Sequence, residues 1–157
     1  DSSKCRVVGK VVRSICIVDH PLAGTDNAES VQIIIPAKQV KGRHNDIYVC
    51  MVSFAHAVAS KNRYIAIVST TVETANPIEE LAPGLNLVGA TLERFDEVSD
   101  LYEPISDGKS DNCFISKSYD ATSHFETCAN DVLSMYTRIT GTELDMNISA
   151  DMTDDDM

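Results

Sequence analysis

Four stretches rich in β-branched residues, all within the first 71 positions, constrain what this chain can fold into more than any motif does. They are residues 7–18 (VVGKVVRSICIV), 31–35 (VQIII), 47–54 (IYVCMVSF) and 64–71 (YIAIVSTT). β-Branched and aromatic side chains fit a pleated, half-buried surface, so runs of this kind bounded by Pro21, Pro36 and loop residues read as strands. Residues 7–18 carry few charges and are expected to be covered on much of both faces. The connections are nine to twelve residues long, too short for most helical crossovers. Consecutive strands joined that way are expected to lie antiparallel as neighbours in a meander. Residues 55–59 between the third and fourth strands have room for one helical turn, and His56 there has no second ligand nearby in sequence.

The second half changes character. Asn76-Pro77-Ile78-Glu79 is a helix start, with an Asn cap, proline at the first helical position and an acid in the first turn. Ile78, Leu81 and Leu85 recur at helical spacing, while Pro83 removes a hydrogen bond and presses on the carbonyl of Glu79, so this helix is expected to be short or kinked. Residues 92–102 return to an extended pattern, Pro104 and Gly108 mark a loop, and residues 113–119 (CFISKSY) are expected to form a last strand. Together these elements indicate an α+β protein with an antiparallel-rich sheet and a C-terminal helix.

Charge and cysteine usage narrow the function classes. A net charge of −11 divides into +4 for residues 1–72 and −15 for residues 73–157. So acidic a second half repels phosphate and argues against a nucleic-acid partner. The positive first half fits an acidic partner or, more commonly for such charges, an ordinary solvated surface. Cys5, Cys16, Cys50, Cys113 and Cys128 are odd in number, widely spaced and form no C-x-x-C pair. That spacing favours free thiols in a reducing compartment over a disulfide framework or a zinc site. No apolar run reaches the ~18 residues of a membrane span, no signal peptide opens the chain, and the first residue is not methionine, as in a fragment or processed product.

The densest chemistry is in residues 118–128, SYDATSHFETC, which bring Asp120, Ser123, His124, Glu126 and Cys128 together. A hydrolase would carry its serine in G-x-S-x-G, and that pentapeptide is absent. His124 and Cys128, four apart, are two ligands where zinc takes four. Ser123 followed by Glu126 instead fits a capping box, each side chain bonding the other residue's amide. Behind it Phe125, Cys128, Ala129, Val132, Leu133, Tyr136 and Ile139 fall on one helical face, and Gly141 follows as a C-terminal cap. No residue is singled out as catalytic, cofactor-binding or metal-binding.

Several blocks, taken in order and spacing, resemble the C-terminal third of Rab GDP dissociation inhibitors: SVQIIIPAKQV (30–40), DIYVCMVSFAHAVA (46–59), YIAIVSTTVET (64–74), SDLYEPISDG (99–108), SYDATSHFETC (118–128) and RITG (138–141). The Rab escort proteins share that scaffold and resemble this chain less. The resemblance implies a cytosolic, non-enzymatic α/β protein, of which this chain would be an α+β fragment, that binds prenylated Rab GTPases in the GDP state. Such proteins slow GDP release and recycle the Rab between membrane and cytosol, with transient membrane contact. It implies that residues 1–145 belong to a large domain built like those of FAD- and NAD(P)-binding flavoproteins, yet used without flavin. Residues 146–157 would be an acidic, disordered tail. The family's dinucleotide-like glycine motif, its Rab-binding platform and its prenyl-holding helices have no counterpart in this chain. Site residues therefore cannot be carried over, a flavin-dependent oxidoreductase is disfavoured, and an isolated chain is expected to expose sheet edges and self-associate.

Overall fold

Alternation along single strands shows how the sheet is built. In the computed structural model, which describes residues 3–122 and 125–146, β3 (Ile47–Ser53) buries Ile47, Val49, Met51 and Ser53 and leaves the residues between them partly exposed. β1 (Cys5–Val18), β2 (Ser30–Ile35), β4 (Tyr64–Thr71) and β5 (Glu93–Pro104) join it in one antiparallel sheet of order β2-β3-β4-β1-β5. The expected α+β class holds.

The meander holds for β2-β3-β4 only. β1 does not pair with β2; it inserts between β4 and β5, with Val11–Val18 against Thr71–Tyr64 on one side and Cys5–Ile17 against Pro104–Glu93 on the other. A 14-residue strand offers two full edges, and the acidic β5 completes the outer one. Coverage of β1 is also less than expected. Val12, Ser14, Cys16 and Val18 are buried on one face, whereas Ile15 on the other is 42% exposed. Val8 is the extra residue at a bulge between Val7 and Gly9.

The first face is closed by residues 77–88. Asn76 stands at the cap position without a side-chain cap bond, and Pro77 opens a 3₁₀ turn, Pro77–Leu81, that runs into α1 (Ala82–Val88). The irregularity expected at Pro83 is this change from 3₁₀ to α, which places the proline in the first turn of α1, where its missing amide hydrogen leaves no bond unmade. Leu81 and Val88 are buried, and Ile78 and Leu85 partly so, against Val12, Cys16, Val18, Val49, Met51 and Val68. A single 3₁₀ turn, Phe54–His56, occupies the connection before β4, and His56 is exposed there.

Gly84 is where α1 comes closest to the sheet. A Cβ there would fall inside the surface of Val68 Cγ1 and lie 3.2 Å from both Ile47 Cγ2 and Val49 Cγ2. Gly84→Ala is therefore expected to lower stability, despite alanine's better helix propensity. The overpacking cost is about 1–3 kcal/mol, against about 1 kcal/mol gained from propensity. A fall in the urea midpoint at constant slope would register it; a rise would show that α1 can lift off the sheet without loss.

Residues 113–119 do not form the expected strand. Ser118 N donates to Tyr102 O at 2.9 Å, but the returning donor, Tyr102 N, finds Ser118 Oγ at 2.9 Å and not a main-chain carbonyl. With the side chain taking the carbonyl's place, the ladder stops at that pair. α2 (Glu126–Thr140) ends at Gly141 in the left-handed region, φ 81°, as expected of a cap. Its side chains are a correction: no residue of α2 is buried. Val132, Tyr136 and Ile139 of the apolar face are exposed, as is Phe125 before them. Helical periodicity marks a face fit for burial, and of this one only Cys128 and Leu133 are even partly buried. The acidic residues 147–157 lie outside the described residues.

Candidate functional site

The stretch that carries most of the chain's reactive groups is held to the sheet by its backbone. Arg13 Nη2 on β1 donates to the Asp120 carbonyl, and Ser69 Oγ on β4 donates to the Ala121 carbonyl at 2.6 Å. Arg13 and Ser69 are cross-strand partners, so two adjacent strands grip two successive carbonyls. Ala121 is buried as a result. Asp120 Oδ1 accepts from Thr122 N at 2.8 Å and Thr122 Oγ1 at 2.6 Å, a local turn that occupies the carboxylate. Asp120 and Thr122 therefore serve the local turn. The capping box itself cannot be placed, because Ser123 and His124 lie outside the described residues. Glu126 stands in the first turn of α2, with Phe125 at the cap position.

Between this stretch, the end of β5 and α2 runs a groove of about 790 Å³. Val8, Leu101, Phe114 and Met135 are among its apolar lining residues, and Lys117, Asp120 and Asp131 among its charged ones. Asp131 Oδ2 accepts from Lys117 N at 3.0 Å and Arg138 Nη1 donates to Asp107 O at 3.3 Å, which ties α2 to the segment before it. Cys128 faces the groove with its thiol free. No three His, Cys, Asp or Glu side chains among the described residues converge as a metal site.

A second charged cluster was not legible in the sequence. Arg43, in the loop between β2 and β3, donates from Nη1 to Glu80 Oε2 at 2.7 Å and from Nη2 to Thr70 Oγ1 at 2.7 Å and Thr71 O at 3.1 Å. Its Nε reaches Asn45 O at 3.2 Å, and Glu73 Oε1 lies 3.5 Å from Nη2. Burial pushes the Glu73 and Glu80 carboxyls up, but their donors outweigh it and hold both below the ordinary value of 4.5. For Glu73 these are the Asn45 side chain, the His44 and Asn45 amides and Arg43. For Glu80 they are Arg43, the Thr74 hydroxyl and the Thr74 and Glu73 amides. Every nitrogen of the guanidinium is engaged internally, so the cluster is a clamp between the β2–β3 loop, the exit of β4 and the 3₁₀ turn. The partners stand 30 and 37 residues from Arg43, a separation with no local pattern to betray it.

Comparison with known proteins gives a consistent answer. The family profile described as GDP dissociation inhibitor matches residues 2–151. A protein of Schizosaccharomyces pombe named probable secretory pathway GDP dissociation inhibitor 1 is 57% identical over 141 residues, covering 90% of this chain and 32% of its own length. Guanosine nucleotide diphosphate dissociation inhibitor 1 of Arabidopsis thaliana is 50% identical over 147 residues, covering 94% of this chain and 33% of its own. The crystal structure of Rab GDI from Plasmodium falciparum superposes with a TM-score of 0.86 at 48% identity, over 90% of this chain and 32% of that one. The chain thus spans about a third of the length of the relatives it matches.

Proposed function

The chain belongs to the GDP dissociation inhibitor family, and on that footing we propose that residues 1–145 are the C-terminal part of the large, flavoprotein-like domain of a Rab GDP dissociation inhibitor. The whole protein binds prenylated Rab GTPases in the GDP state, slows GDP release and carries them between membrane and cytosol. It works as a stoichiometric binder, without cofactor and without turnover. The observation that carries this reading is the family match across residues 2–151.

Within such a protein this part is a scaffold. The polar groups of these two clusters are spent on backbone groups and on each other: Asp120 on Thr122, Ser69 and Arg13 on residues 120 and 121, Arg43 on Glu80. The acidic second half, at −15, favours protein over nucleic-acid partners. Residence in the cytosol accords with the absence, among the described residues, of a helix long and apolar enough to cross a membrane.

The test is retention of prenylated, GDP-loaded Rab on immobilised protein. Full-length relatives are expected to retain it, and this chain alone to bind on the order of a hundredfold more weakly, the equivalent of about 2.7 kcal/mol. Equal retention by the isolated chain would move the principal Rab contacts into these residues.

A further inference from the structure

We propose that the second face of the sheet is a polypeptide-docking surface whose occupant is the portion of a GDP dissociation inhibitor outside the matched third. Strand register places Cys50, Ile67, Ile15 and Phe95 in one row across β3, β4, β1 and β5. Val52, Ile65 and Ile17 make a second row beside it across the first three of these strands. At ~4.8 Å between strands and ~7 Å between rows this is a continuous apolar surface about 14 Å across. It is left open: Phe95 is 57% and Ile15 42% exposed, and the other five are only partly buried. On its far side the next row, Tyr48, Ser69, Arg13 and Glu97, turns polar. There Arg13 and Ser69 bind the 120–121 backbone. Among the described residues, the hydrogen bonds that hold this segment to the sheet lie on that polar row.

An antiparallel sheet that faced water on this side would alternate apolar and polar residues along each strand. Here both sides of β3 and β4 are apolar, the pattern of strands covered twice. The occupant follows from length and charge. The chain covers 32% of the Plasmodium falciparum structure and of the fission-yeast relative, so about two-thirds of each relative lies outside the match, while the described residues leave this surface open. A second copy is a poorer fit. Both copies carry a net charge of −11, and β5 places Glu93 and Glu97 beside Phe95 on this face, so two copies would bring acidic edges together. The proposal rests on the family reading.

Cys50 reports on this face and the buried core residue Cys16 on the other. The chain is joined to the preceding two-thirds of the fission-yeast relative, in place of the matching third, and both proteins are labelled with iodoacetamide and read by mass spectrometry. Cys50 is expected to label in the isolated chain and at least about tenfold more slowly in the joined protein, with Cys16 protected in both. Unchanged Cys50 labelling beside a protected Cys16 would overturn the proposal, as would protection in the isolated chain that grows with concentration, which would assign the face to a second copy. Ile15→Glu keeps the question open to test even if the joined protein does not fold: in the isolated chain it should leave the thermal midpoint almost unchanged, and a large loss there would mean the face is already packed. Rab retention by the joined protein separates the two readings. Retention with Cys50 open sinks the docking face alone, whereas protection of Cys50 without retention supports the docking face and removes the Rab-binding function.

Discussion

Arg43→Met is expected to lower the free energy of unfolding by about 3–5 kcal/mol, the cost of removing one partner from a buried charge pair. The Arg43 and Glu80 side chains are 7% and 4% exposed, so the substitution leaves a buried carboxylate with its Thr74 and Glu73 donors but without its cation. In a chain of this size such a loss lowers the thermal midpoint by roughly 10 °C. Arg43→Met combined with Glu80→Met should recover part of it, because the second change removes the stranded charge. A single-variant loss below about 1 kcal/mol would place the cluster among surface pairs, which contribute little.

The same cluster sets an acid limit. The folded protein holds the Glu73 and Glu80 carboxyls below their ordinary value of 4.5, while the unfolded chain protonates near that value. Stability from these groups is therefore fully present above the ordinary carboxyl range and is lost as pH falls through the folded values. Thermal midpoints measured between about pH 7 and pH 3 should fall steeply in acid for the parent chain. They should fall less steeply for Arg43→Met, in which burial acts on Glu80 without the opposing cation. Parallel curves would show that Arg43 does not govern these carboxyls.

Leu81→Ala is expected to cost about 2–5 kcal/mol, the range for truncating a large buried side chain. Leu81 is fully buried at the junction of the 3₁₀ turn with α1, within the cluster formed by Val12, Val49 and Val68. Because Gly84 already lies against Val68, α1 has little room to sink into the space left, which points to the upper part of that range. Chemical denaturation would measure it. Leu87→Ala, at a position 42% exposed on the same helix, is the comparison and should lose well under half as much.

Much of the local structure was legible. Residues 31–35, 47–54 and 64–71 were expected as strands and emerge as Ser30–Ile35, Ile47–Ser53 and Tyr64–Thr71, because β-branched runs bounded by proline and loop residues leave few alternatives. Gly141 ends α2 as a cap should. The failures share a cause. Residues 113–119 have strand-like composition, but Ser118 Oγ takes the place of the carbonyl that a ladder needs. Helical spacing grouped Phe125, Val132, Tyr136 and Ile139, but spacing does not say whether anything lies against the group, and these four are exposed.

By itself, then, the sequence determined which segments could be strands and helices, and it carried the family's blocks in order, since both are written in residues that are neighbours or nearly so. Tertiary structure decided that β1 sits between β4 and β5, that Arg43 closes on Glu80 across 37 residues, and that one face of the sheet is packed by α1 while the apolar rows of the other are left open by the described residues. Those outcomes depend on which distant segments satisfy each strand edge, each buried charge and each apolar face. Local periodicity records that such a surface needs a partner and holds nothing about which partner arrives.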